Sequence, residues 1–345
     1  MREFLAKMAL PLAVSTISTF AVGEDDEQNF VPIGIEDAKT AYQGWDDYLT
    51  LGLSGTINES KNVVGKDDGQ STTLGLKVKG GIDYGSGLSQ WLNSIDILIS
   101  YSRSPVIPEY IKAEDSFELD SIYKRYLESV SWLGLFVQGN ISTALFDGYD
   151  TRAEMVTYRK IGLDDEVEVI EAKRLKLTDS YNPLKIRESL GVIASPYSYK
   201  IFNWDIKAGV GFRQVMADGQ FVISDDDSTT EIEVQEIQSF DKYGYEFGTE
   251  VKGHTSDEKF SYQLKANVLF PVYESIDTED RSTFDKRVID ISLKSSFHLV
   301  EWASLDYLLT VSRDPDINDK AQESQTLLFS LNKVIAKREN GEPES

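Results

Sequence analysis

From Ser71 to Gly85 the chain reads STTLGLKVKGGIDYG, and every second residue belongs to the same class. Thr72, Leu74, Leu76, Val78, Ile82 and Tyr84 share one face of an extended chain. Thr73, Lys77, Lys79 and Asp83 share the other, with gaps at Gly75 and Gly81. Strand side chains alternate, so this period of two specifies a strand lying between an apolar and a polar medium. The pattern returns about a dozen times, and each copy can cross a bilayer as a tilted strand of ~9–11 residues.

Twelve strands are predicted, at about 45–58, 71–85, 92–103, 116–128, 132–146, 184–194, 203–215, 241–252, 259–270, 288–299, 302–313 and 324–335. The connections alternate between long and short. Long ones begin near Glu59, Ser104, Asp147, Met216, Pro271 and Asp314; short ones near Gly85, Ser129, Ser195, Gly253 and Val300. An even strand count with this alternation is what an up-and-down transmembrane barrel requires, with short periplasmic turns, long extracellular loops and no free sheet edge. A soluble β-sandwich is the alternative, and it gives no reason for the alternation. The expected fold is therefore an all-β, antiparallel barrel of about twelve strands spanning 45–335.

Two segments depart from the rhythm. Between 147 and 183 the residues still favour strands, but Asp and Glu occupy both faces, as in VEVIEAKRLKLTD, so this stretch is expected to project beyond the membrane as a ribbon. A second acidic insertion, 216–240, contains Asp225, Asp226 and Asp227. Glu188 falls on the lipid face of its strand and is that strand's weakest point.

At the start, Arg2 and Lys7 precede the apolar stretch Met8–Phe20, and small residues Ala21 and Gly23 stand before the acidic run at Glu24. That pattern reads as a signal peptide over 1–23, cleaved after Gly23, followed by a periplasmic segment over 24–44. Export together with a barrel points to the bacterial outer membrane. Residues 336–345 are expected to form a charged periplasmic tail. The chain has no cysteine, which removes disulfides and thiol chemistry from consideration. Its net charge of −23 excludes phosphate-backbone binding, so no nucleic-acid partner is expected.

With its export signal, alternating strands, asymmetric connections and inward glycines (Gly75, Gly81, Gly191, Gly209, Gly211, Gly244, Gly248), the chain resembles outer-membrane β-barrel proteins. Pieces such as NWDIKAGVG at 203–211 look similar to barrel families of unassigned function. The resemblance implies outer-membrane lipid, lipopolysaccharide and the barrel-assembly machinery as partners. One departure is the end, Glu344-Ser345, where many such barrels carry a terminal aromatic; the assembly signal is then internal, around Phe329, or absent.

Candidate lumen-lining residues are the charged members of the inward faces. They are Lys77, Lys79, Asp83, Asp96, Glu118, Asp120, Lys124, Lys185, Arg187, Lys207, Arg213, Glu246, Glu250, Lys265, Asp290 and Lys294. Their near balance of sign argues against a strongly ion-selective pore. Two functions stay open: a porin-like channel for small polar solutes, and a closed barrel that binds a partner through its acidic loops. Mutual pairing of these charges would favour closure; a ladder of lone cations would favour transport. No catalytic set is expected. Barrel-wall phospholipases need a Ser-His pair at the extracellular rim, whereas His254 is predicted in a short turn and His298 near the opposite end. The run Asp314-Pro315-Asp316-Ile317-Asn318-Asp319 places oxygens at alternate positions but lacks the glycine and bidentate Glu of a calcium loop. Neither a metal nor a cofactor is expected.

Overall fold

The computed structural model describes residues 44–60, 69–199, 201–224, 229–257, 259–276, 281–282, 284–300, 302–316 and 321–338. The expected signal peptide, almost all of the segment over 24–44, Asp225–Asp227 and most of the tail lie outside these residues. Among the described residues sixteen strands follow one another. The first five are β1 (Gly44–Ser60), β2 (Gly69–Ser86), β3 (Ser89–Arg103), β4 (Ile111–Tyr126) and β5 (Leu133–Thr143). Then come β6 (Gly148–Ile161), β7 (Val167–Thr178), β8 (Leu184–Tyr199), β9 (Phe202–Met216), β10 (Phe221–Ile223) and β11 (Ile232–Glu236). The last five are β12 (Phe240–His254), β13 (Phe260–Glu274), β14 (Val288–Val300), β15 (Ala303–Arg313) and β16 (Gln322–Arg338).

Twelve of these form one antiparallel ring in the order β1-β2-β3-β4-β5-β8-β9-β12-β13-β14-β15-β16, closed by pairing of β16 with β1. Apart from the two excursions for the insertions, each strand pairs with its neighbour in sequence, which is the up-and-down topology. Register explains why the alternation had to be so strict. Leu51 pairs with Val78, Val78 with Ile97 and Ile97 with Phe117, so one apolar row runs strand to strand on the outer face. Val137, Leu190, Val210, Tyr245 and Phe270 form another. Leu53, Val137, Leu190 and Tyr245 are 57–62% exposed, a belt of bare apolar side chains that only a lipid surround satisfies. Trp45, Tyr84 and Trp91 cluster on this face at the turn end, the place for amphipathic rings at a membrane interface. Trp132 and Trp302, next to other short turns, are also exposed.

Three strands run four or five residues past their expected ends. β4 starts at Ile111 rather than Ser116, within the long connection expected from Ser104. β8 continues to Tyr199 through Pro196, and β13 to Glu274 through Pro271. A proline cannot donate to the ladder, but each sits at a register shift, between Ala194 and Tyr197 and opposite Gly244, where a bulge dispenses with that bond. The barrel likewise extends to Arg338, three residues beyond its expected limit.

The two insertions do not project separately. β6 and β7 form the anticipated ribbon, and β11 from the second insertion pairs parallel with β6, giving a four-stranded sheet β10-β11-β6-β7. Tyr158 and Val234 are fully buried in it. The Tyr158 hydroxyl donates to Asp150 at 2.9 Å, and burial pushes its pKa up to about 12.

Candidate functional site: the charged lumen

All sixteen charged residues singled out in the sequence share the inward register. Lys79 pairs with Asp96 and Asp96 with Glu118; Lys124 lies two residues from Ile122, itself opposite Gln138. Arg187 pairs with Arg213, Lys207 with Gly248, and Glu250 with Lys265, which in turn opposes Ser292. Twelve strands ~4.8 Å apart and tilted by ~40° close to a backbone radius of roughly 12 Å, so long side chains from several walls occupy much of the bore.

The inward glycines make room for those side chains. A Cβ on Gly81 would strike the Tyr48 ring, and one on Gly211 would strike the Glu246 carboxylate. Where Gly191 faces Gly209, a Cβ on Gly191 would lie 2.6 Å from the Gly209 Cα, so the pair sets the approach of β8 to β9.

The interior falls into three layers. Near the short turns, Lys124 donates to Asp205 at 2.9 Å, the Ser195 hydroxyl donates to Asp205 at 2.6 Å, and the Tyr126 hydroxyl lies 3.0 Å from Ser195 Oγ. Tyr126, Phe136 and Ile193 pack beside them as a buried apolar cluster, with Leu88 and Ile122 against it. Tyr126, an aromatic residue at a strand end, thus points inward and is only 2% exposed. The signal for this layer was the unbroken run Leu133–Val137, LGLFV: apolar residues on both faces mean that both faces are covered.

At the loop end Arg213 donates to Asp290 at 2.9 Å, and Arg187 reaches the same carboxylate at 3.5 Å. Lys242 is fully buried, with its ammonium 2.7 Å from Asp314 and 2.6 Å from Asp316. Arg281 adds a bond to Asp316 at 3.2 Å. The alternating aspartates that resembled a calcium loop thus hold a lysine ammonium where a cation would sit. Arg281 and the role of the two aspartates were missed, because loop residues carry no register to place them. Beside them Val215, Ala217 and Phe240 form a second apolar cluster.

Between the layers lies a cavity of about 460 Å³ lined by side chains of both signs. Glu118, Asp120, Lys185, Arg187, Arg213, Glu246, Lys265, Asp290 and Lys294 reach it. The remaining candidates stand around it or towards the turns. Lys207 donates to Gln138 at 2.8 Å, and Glu250 accepts from Gln263 at 2.6 Å. Asp83 accepts the Asn93 backbone N–H at 2.9 Å, and Lys77 is buried on β2. His254 ends β12 and bonds the Thr255 carbonyl, while His298 lies inward opposite Ser304 near the turn end.

The ion pairs join distant walls. β5 and β8 stand between β4 and β9 in the ring, and β12 and β13 stand between β9 and β14. Lys124–Asp205 and Arg213–Asp290 therefore cross the interior instead of lying along its wall.

No family model matches the chain, and no curated protein does. Among solved structures the chain is similar to an outer-membrane channel from Pseudomonas putida F1, at 11% identity and a TM-score of 0.38, covering 87% of this chain and 98% of that one. It is similar to the NanC porin at 7% identity and a TM-score of 0.35, covering 83% and 99%. It is also similar to the β-domain of the Bordetella autotransporter BrkA at 8% identity and a TM-score of 0.34, covering 85% and 100%.

Proposed function

We propose that this chain is a bacterial outer-membrane barrel that passes small polar solutes passively through a narrow lumen. The observation that carries the reading is the cavity of about 460 Å³, polar and two-signed, enclosed by a wall whose outer face is an apolar belt. An aqueous interior inside a lipid-facing wall is the arrangement of a channel, and its charges are the selecting groups. In this reading residues 1–23 direct export and the short turns face the periplasm. The long loops face outward, where their acids meet lipopolysaccharide through bridging divalent cations. The barrel-assembly machinery inserts the chain, and the protein is not an enzyme.

A second reading, a closed barrel displaying the four-stranded sheet to a partner, is favoured by the pairing of lumen charges across the bore, Lys124 with Asp205 and Arg213 and Arg187 with Asp290, and by the layer of Lys124, Asp205, Ser195 and Tyr126 over its apolar cluster. Single-channel recording in planar bilayers separates the two. Steady conductance steps from the purified protein support the channel; silence from a protein shown to be folded rejects it and favours display.

A further inference from the structure

The inward-facing charges of the cavity balance, and they are unevenly spread across its width. Its inward lining from β4 is Glu114, Glu118 and Asp120, with no base among the described residues. The inward lining from β8, β9, β13 and β14 is Lys185, Arg187, Arg213, Lys265 and Lys294, with Asp290 as the inward acid; Glu188 of β8 also borders the cavity, although its register puts it on the outer face. Glu246 from β12 completes the inward set, so five acids meet five bases.

The two signs are only partly separated around the ring: β4 carries three acids, whereas the arc from β8 to β14 carries five bases against Glu246 and Asp290. β4 is fourth in the ring order and β14 tenth, so these strands stand six apart in twelve and face each other. β3 and β13 stand opposite in the same way. Lys265 on β13 stands opposite Glu250 on the neighbouring strand and is also within electrostatic range of Asp120, Glu118 and Asp96. Asp290 is bound by Arg213 and Arg187 and offsets one of the five basic charges, which leaves that side in excess of base.

From this the geometry points to a zwitterionic small solute, carrying separated amino and carboxylate groups, as the preferred occupant of the cavity. A solute of net charge gains at one wall what it loses at the other, because the inward lining sums to zero. A neutral solute with little dipole gains nothing from the field. A zwitterion that turns its ammonium to the β4 acids and its carboxylate to the β8–β14 bases gains at both walls. Inside a low-dielectric wall these interactions are stronger than in water. The inference rests on the channel reading and names the solute class for it.

Swelling of proteoliposomes in isotonic solutes tests it, with β-alanine and its uncharged isomer lactamide as probes and protein-free liposomes as the blank. The expected result is several-fold faster swelling in β-alanine than in lactamide. In E118Q/D120N the ratio falls towards one, and ion currents through that variant shift towards anions. If that variant fails to assemble, K265M/K294M serves: it also loses the ratio but shifts currents towards cations. Equal rates for the two isomers in the wild type overturn the zwitterion proposal and leave a channel that sorts by size. A ratio that survives in an assembled variant also overturns it. Swelling in neither solute, from a barrel shown to be folded, rejects the channel reading and the proposal with it.

Discussion

Lys124 on β4 and Asp205 on β9 meet at 2.9 Å across the interior, although two strands, β5 and β8, separate them in the wall. Both side chains are less than a tenth exposed, and Asp205 also takes the Ser195 hydroxyl. A buried pair of this kind costs most when only one member is removed, since the survivor keeps an uncompensated charge. K124M should therefore lower barrel stability by about 3–5 kcal/mol in denaturant unfolding from detergent micelles. The double variant K124M/D205N should recover a large part of that loss. A double variant no better than K124M would mean that the two residues are not coupled.

Lys242 makes a comparable closure at the other end. Its buried ammonium joins β12 to Asp314 and Asp316 of the loop after β15, and Pro315 between them is buried. The chain has no cysteine, so P315C supplies a single label site. Maleimide should react with it slowly in the otherwise wild-type barrel and much faster when K242M is added. Equal rates would show that Lys242 does not hold the loop.

The outer belt makes a prediction with a sign at each of two positions. Val210 lies within the row running from Val137 and Leu190 to Tyr245, so V210R should destabilise the membrane-inserted barrel by about 2–4 kcal/mol, the cost of a cation near the bilayer midplane. Glu188 stands on the same face, exposed and opposite Phe212, closer to the loop end. E188L should stabilise by up to about 1 kcal/mol, as expected towards the interface. Unfolding in lipid vesicles measures both, and a stabilising V210R would place that face away from lipid.

The strands were legible because a barrel wall between lipid and water writes its faces into each segment. Leu74, Leu76 and Val78 against Lys77 and Lys79 need no partner strand to be read. The inward register of the charged residues was legible for the same reason, since it carries Lys265 or Asp290 to the inner face once the strand is placed. Which charge meets which was not, because Arg213–Asp290 and Lys124–Asp205 join strands that are not neighbours, and alternation holds no information across a bore. The parallel pairing of β11 with β6 was hidden in the same way: Ile232–Glu236 reads as a short strand, but its partner lies over seventy residues earlier. The continuation of β8 through Pro196 depended on a bulge that local sequence does not announce.

At the base of the ribbon, Asp147 accepts the backbone N–H and the hydroxyl of Ser180, each at 2.8 Å, and pairs with Lys176 at 2.8 Å. The Lys176 and Ser180 hydrogen bonds hold the Asp147 carboxyl well below the usual carboxylate range. Lys176 also binds Asp179 at 2.6 Å, which lowers the Asp179 pKa in turn. A carboxylate depressed in the folded state contributes stability that is full above its unfolded pKa of ~3.9 and lost as pH falls through its folded value. The ribbon base should thus hold unchanged from neutral pH down to about pH 4 and loosen only in stronger acid. D147N removes the charge that Lys176 and Ser180 serve, so it should loosen the same segment already at neutral pH. Amide hydrogen exchange at Ser180 measures both effects: faster exchange in D147N at pH 7 than in the wild type, with the difference closing in strong acid. Exchange equally slow in both proteins at pH 7 would show that the Asp147 charge does not hold the ribbon to the barrel rim.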